Sequence, residues 1–181
     1  MGTNLPLQEK IEEMRTYAEL VLQIPQIKNK KTTGVYVRVY NRETTNLVIG
    51  ETFGTFAHGY LKESNSSHQK ARWLYLHPHA ISTTESNGEV DAGGIKGKNH
   101  IIGVSGFDVF NYNSALAILL LACFEHEPSN GSWHVMQEYA KRAQCETELN
   151  WLLEHMQALP IPSRFATVVT KFFSWLHKEK K

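Results

Sequence analysis

The chain has 181 residues, 41% hydrophobic and 20% charged, with 19 Lys plus Arg against 18 Asp plus Glu. That balance excludes a dedicated nucleic-acid binder, which carries a basic stripe, and the length suits a fold whose core needs no disulfide or metal staple. Two cysteines, Cys123 and Cys145, rule out a disulfide framework and fit a reducing compartment, so the protein reads as cytoplasmic.

The basic runs "KNKK" (28–31) and "HKEKK" (177–181) are short and read as solvated segments rather than phosphate sites. No secretory leader is expected, because "MGTNLPLQEKIEEM" lacks a basic stretch followed by an apolar one. The longest apolar run, Ala115 to Phe124, is too short for an integral membrane segment.

Leu7, Ile11, Met14, Ala18, Val21 and Leu22 recur at three- and four-residue steps, which predicts an amphipathic helix over Leu5 to Ile24, stopped by Pro25. From Gly34 the period changes to two. "VYVRVY" (35–40) and "NLVIGETF" (46–53), joined by a polar turn, read as a β-hairpin, and "GTFAHGY" (54–60) as a connecting loop.

Ser66 and Gln69 have the spacing of a capping box, which predicts a helix of two to three turns ending near Pro78. "STTESNGEVDAGG" (82–94) reads as a surface loop, "AGGIKGK" as a short strand or turn, and "HIIGVSGF" (100–107) as a strand.

A helix capped by Asn113 or Ser114 and running to Phe124 is apolar on every side, so it is buried within the domain or between subunits. Ser132 can cap a helix whose stripe runs through Met136, Ala140, Leu149, Leu153 and Met156. After "PIPS" (160–163), Ser163 can cap a last helix bearing Phe165, Val169, Phe172, Phe173 and Leu176. Helices around a strand pair and a hairpin make the class α+β, with a two-helix C-terminal extension. A domain over 1–127 and an extension over 128–181 are expected.

"NLVIGETFG" (46–54), "SSHQKAR" (66–72), "GGI" (93–95) with "IIGVSG" (101–106), and "SALAILLLA" (114–122) resemble the GlcG/HbpS family, the haem-binding and haem-degrading-like domains that include the C-terminal domain of PduO proteins. The resemblance covers roughly residues 10 to 124. It implies a profilin-like fold, an antiparallel sheet with helices on its faces, commonly built into symmetric homo-oligomers. It also implies a small-molecule ligand, with haem or a related tetrapyrrole first in line. The pocket it implies lies near Gly93, Gly94 and Ile95, and His58, His68 and His77 flank it as candidate axial ligands. The family's proline after the glycine pair is absent, and "FDVFNYN" stands where its acidic residues belong, leaving Asp108.

The residues themselves name no reaction. His77 and His79 can share a metal ion, but no third or fourth ligand stands at suitable spacing, so both read as surface histidines. Glu125, in "FEHEP", reads as a solvated helix end, and His100 as exposed. Ser105 in "GVSG" lacks the strand-to-helix elbow of a hydrolase nucleophile and reads as a packed strand end. A second reading, of another class, is a non-enzymatic interaction module whose interface is the sheet and the apolar 115–124 helix.

Overall fold

The computed structural model describes residues 6–28, 33–56, 60–125 and 132–159, with isolated positions 170 and 174. His58 and the helix expected from Ser163 lie outside them.

Helix α1 (Leu7–Gln23) buries Ile11, Met14, Ala18, Val21 and Leu22 as its periodicity requires, with Tyr17 and Leu20 added. Helix α1 ends just before Pro25, as expected, with Ile24 as its C-cap, and Pro25 then opens the short α2 (Pro25–Lys28). A proline at a first helical position lacks only an N–H that would be unpaired anyway.

Strands β1 (Gly34–Asn41) and β2 (Leu47–Gly54) form the hairpin; β3 (Gly94–Lys96) and β4 (His100–Ser105) form a second one. The sheet order is β2-β1-β4-β3, antiparallel throughout. Alternation then sorts the side chains. Val35, Val37, Val39, Ile102, Val104 and Ile95 face the main core with α1 and α4, whereas Tyr36, Arg38, Tyr40, Gly103, Ser105, Gly94 and Lys96 fall on the opposite face.

That second face is covered by α3 (Leu61–Leu76), which packs on β4, β1 and β3 but leaves β2 largely uncovered. The helix starts well before the expected capping box: Tyr60 is its N-cap and makes no side-chain cap, and Ser66 is interior. The box exists elsewhere. Ser82 and Glu85 close it around a single 3₁₀ turn, Thr83–Ser86, inside the segment expected to be a surface loop. Ser82 and Thr83 are fully buried, and Thr83 Oγ1 accepts from the Gly94 amide at 3.0 Å.

Helix α4 (Phe110–Glu125) is the hub, with every residue from Ala115 to Phe124 buried. It needs no polar face because β3, β4, α1, α5 and α6 surround it within the one chain. The apolar 115–124 helix is therefore not available as an interface, which corrects that part of the interaction-module reading. Asn113 does not cap α4. Its side-chain amide instead closes a ring with Phe107, accepting from the backbone N at 3.1 Å and donating to the carbonyl at 2.9 Å.

The long helix expected after Ser132 is two: α5 (Ser132–Arg142) and α6 (Glu146–Ala158). Gln144 takes a left-handed φ of 54°, and the Cys145 N–H returns to the Ala140 carbonyl at 2.9 Å, closing α5 without glycine or proline. Met136, Ala140, Leu149, Leu153 and Met156 join the same core as α4. Among the described residues no helix is long and apolar enough to cross a membrane.

Candidate functional site

The inner face of α3 carries Glu63, Ser67 and Lys70 at i, i+4 and i+7, so all three point at β4. Such a stripe would be repelled from an all-apolar sheet surface, and β4 meets it with small or polar residues. Ser105 Oγ donates to Glu63 Oε2 at 2.6 Å, which makes Ser105 the packed strand end expected of it. Gly103 admits the α3 backbone itself: a Cβ there would overlap the Ser67 carbonyl oxygen. Ser67 Oγ, fully buried, donates to the Ser64 carbonyl at 2.8 Å.

Lys70 is 2% exposed and its Nζ donates to the Val104 carbonyl at 2.8 Å. Burial pulls the amine down to about 8, partly opposed by Asp91 and Glu63. Beside it the chain turns into β3 at Gly93, where φ is +121° and a side chain would strike Val104 O and Asn113. The glycine pair thus serves the backbone, and Lys70 Nζ occupies the space next to it.

Because the amine is harder to protonate folded than unfolded, its charge costs stability below pH 8, and that cost fades as pH rises toward 10.5. Wild-type protein is therefore expected to gain on the order of 2 kcal/mol relative to Lys70→Met between pH 8 and 10.5. Urea unfolding of both proteins across that range checks it, and parallel curves would contradict it.

The other expected site residues disperse. Gly94 lies against Lys70, Leu74 and Thr83, but Ile95 alternates to the other side of the sheet and is core. His68 and His77 are nine positions apart on one helix, roughly 13 Å along its axis and on opposite sides. His77, exposed at the C-cap, stacks on Trp73 at 4.0 Å and donates from Nδ1 to the Trp73 carbonyl at 2.7 Å. His58 lies outside the described residues.

His68 belongs to a row on the open flank of the sheet, beside uncovered β2. Tyr36, Arg38 and Tyr40 alternate along β1 toward α3. The Arg38 guanidinium lies 5.5 Å from the centre of the Tyr36 ring and donates to Tyr40 Oη at 3.2 Å and Ser64 Oγ at 2.9 Å. Tyr40 Oη meets His68 Nδ1 at 2.7 Å, and exposed Tyr60 stacks on Tyr36 at 5.7 Å. Burial, then Arg38 and Arg72, lower the His68 pKa, so the imidazole is neutral at physiological pH, the form that binds metals. In the tautomer that carries its proton on Nδ1, the bond to Tyr40 leaves the Nε2 lone pair for a ligand.

Two residues that read as bland are structural. Glu125 is no solvated helix end; its carboxylate accepts from the amides of Lys98, Asn99 and His100 at 3.1, 2.8 and 2.7 Å. His100 is half-buried rather than exposed, with Nδ1 3.3 Å from the same carboxylate and its ring edge-on to Phe124 at 4.7 Å. Both readings missed because the partners are 25 to 27 positions apart in sequence. The Glu63-Ser67-Lys70 stripe was visible at helical spacing, but only the glycine at 103 hinted that a polar face turned inward.

Among the described residues no three of His, Cys, Asp or Glu gather to hold a metal ion. A recess between α2, the loop after β4 and α6 has a volume of about 30 Å³, far below a tetrapyrrole. No protein-family model and no curated protein matches the chain. A solved structure of a double mutant of HbpS from Streptomyces reticuli is similar, 20% identical with a TM-score of 0.39, over 70% of this chain and 90% of that one. The α+β architecture stands on the chain's own strand order, β2-β1-β4-β3 between α3 and the α1–α4 layer.

Proposed function

We propose that this chain is a small-ligand-binding protein of the GlcG/HbpS type, with haem or a related tetrapyrrole as the first ligand to test. The observation that carries the reading is His68: a neutral imidazole on an open aromatic and basic flank, oriented through Nδ1 by Tyr40. The recess beside Trp151 is too small for haem; a haem at His68 would lie across the exposed flank, with His68 toward its iron and Arg38 and Arg72 near its carboxylates. Tyr36 and Tyr60 supply the flat apolar contact such a ring needs. Haem contributes an iron that takes an axial imidazole; the chain contributes position and protonation state.

Titrating the full chain with haemin, followed by the Soret band, tests this. A shift is expected that weakens at least about tenfold in His68→Ala, the scale of losing a properly supported ligand, and persists in His77→Ala. No shift, or undiminished binding by His68→Ala, would overturn it; loss in His58→Ala or His77→Ala instead would remove His68 from the role. The reading extends to a cytoplasmic homo-oligomer. Two buried free thiols support a reducing compartment, and β2, an edge strand with Leu47 half-exposed, supports contact with another chain.

A further inference from the structure

The small recess away from that flank has a composition of its own. Phe107 and Tyr112 meet at 6.1 Å with planes inclined 49°, and Tyr112 meets Trp151 at 5.4 Å and 64°. Three rings at such angles form walls rather than a stack. Ile27 and Val109 complete the apolar lining, Gln26 and Asp108 stand at its rim, and among the described residues no basic side chain lines it. Trp151 is held from behind by His155, stacked at 4.0 Å and donating from Nδ1 to the Trp151 carbonyl at 2.9 Å.

Among the described residues the charge at the recess is acidic. Asp108 is exposed and has no hydrogen bond or ion pair among the described residues. Glu148, fixed by the Asn111 amide at 3.2 Å, adds a second carboxylate close enough to help burial push the Tyr112 hydroxyl up. We infer that this recess is a binding site for a methylated ammonium group, seated among the Phe107, Tyr112 and Trp151 rings with Asp108 as counter-charge.

Aromatic faces attract cations, and a methylated ammonium is the cation that loses least hydration on entering an apolar cage. A neutral apolar group would gain nothing from the Asp108 carboxylate at the rim, whereas a cation gains a counter-charge there. A metal ion would find too few oxygens. About 30 Å³ holds a compact head group of a few heavy atoms, with the remainder of the molecule leaving by the open side.

The test compares choline with its neutral carbon isostere, 3,3-dimethylbutan-1-ol, by calorimetry and by broadening of the methyl proton signals. Choline is expected to bind about tenfold more tightly than the isostere. Asp108→Asn should weaken choline roughly fivefold and leave the isostere unchanged. Trp151→Leu should abolish choline binding, with near-ultraviolet dichroism reporting whether the fold survives. If that variant does not fold, the Asp108→Asn comparison still decides.

A trimethyllysine peptide used in place of choline shows whether the head group is protein-borne; binding of either cation supports the site. Equal binding of choline and isostere, unchanged choline binding by Asp108→Asn, or no binding of either cation at millimolar concentration would overturn it.

Discussion

Replacing Gly103 with alanine is expected to cost about 3 kcal/mol or more, among the largest effects of adding a single methyl group. The new Cβ would overlap the carbonyl oxygen of Ser67, a backbone atom inside α3 that cannot rotate away. Relief requires the whole helix to rise from the sheet. Lys70 would then lose its 2.8 Å bond to Val104, Ser105 its bond to Glu63, and His68 its seat beside Tyr40. Gly50→Ala is the comparison: its methyl meets the end of the exposed Leu47 side chain at 3.3 Å and the Tyr36 hydroxyl at an ordinary 3.6 Å, so a change under about 1 kcal/mol is expected. Urea midpoints for the two variants check the contrast. Equal losses would show that α3 does not press on β4 as closely as its carbonyl indicates.

Glu125→Ala is the second large effect, about 3 kcal/mol. Three backbone amides of the β3–β4 turn lose their shared acceptor, and each donor left without one costs roughly 1–3 kcal/mol before water makes up part of the loss. Glu125→Gln isolates the charge. Burial alone would raise the Glu125 carboxyl, but the bonds from His100 and from the Asn99, Lys98 and His100 amides outweigh it and hold the group below its ordinary value. A carboxyl that is more acidic folded than unfolded stabilises fully above its unfolded pKa and loses that contribution as pH falls through the folded one. Wild-type protein should therefore lose stability on acidification more steeply than Glu125→Gln. Thermal midpoints from neutral pH down through the carboxylate range measure the difference, and coincident curves would refute it.

The sequence disclosed those elements whose determinants are local. The α1 stripe, the β1–β2 hairpin and the all-apolar α4 follow from periodicity, because one face or all faces of each are committed to burial. Capping was less legible. Both Ser66-x-x-Gln69 and Ser82-x-x-Glu85 satisfy the same pattern, and only the second lies where tertiary contacts end a segment, at the bridge from Ser82 to Ile95. The break between α5 and α6 hid because Gln144, a residue with no special liking for left-handed geometry, is the one that adopts it.

The candidate site was half legible for a related reason. Gly93 and Gly94 announced a backbone constraint, and the constraint is real, yet what fills the space they leave is the amine of Lys70, twenty-three positions earlier. His68 stood out only as one of three histidines, with His58 and His77, that the resemblance sets beside a pocket. Its partners Tyr40 and Arg38 reach it through strand pairing and helix docking, relations that no window along the chain contains.

The wrapping of α4 also has a consequence for how the protein is made. A ribosome delivers the sheet, α1 and α4 before it delivers α5 and α6, so the most apolar of the described helices emerges before two of its partners exist. For that interval the side of α4 that α5 and α6 will cover has only water or another nascent chain to meet, and hydrophobic surface of that kind is what chaperones hold. Synthesis halted near residue 127 would strand the chain in that state. In the living cell, α5 and α6 are thus the segments that end its exposure to aggregation.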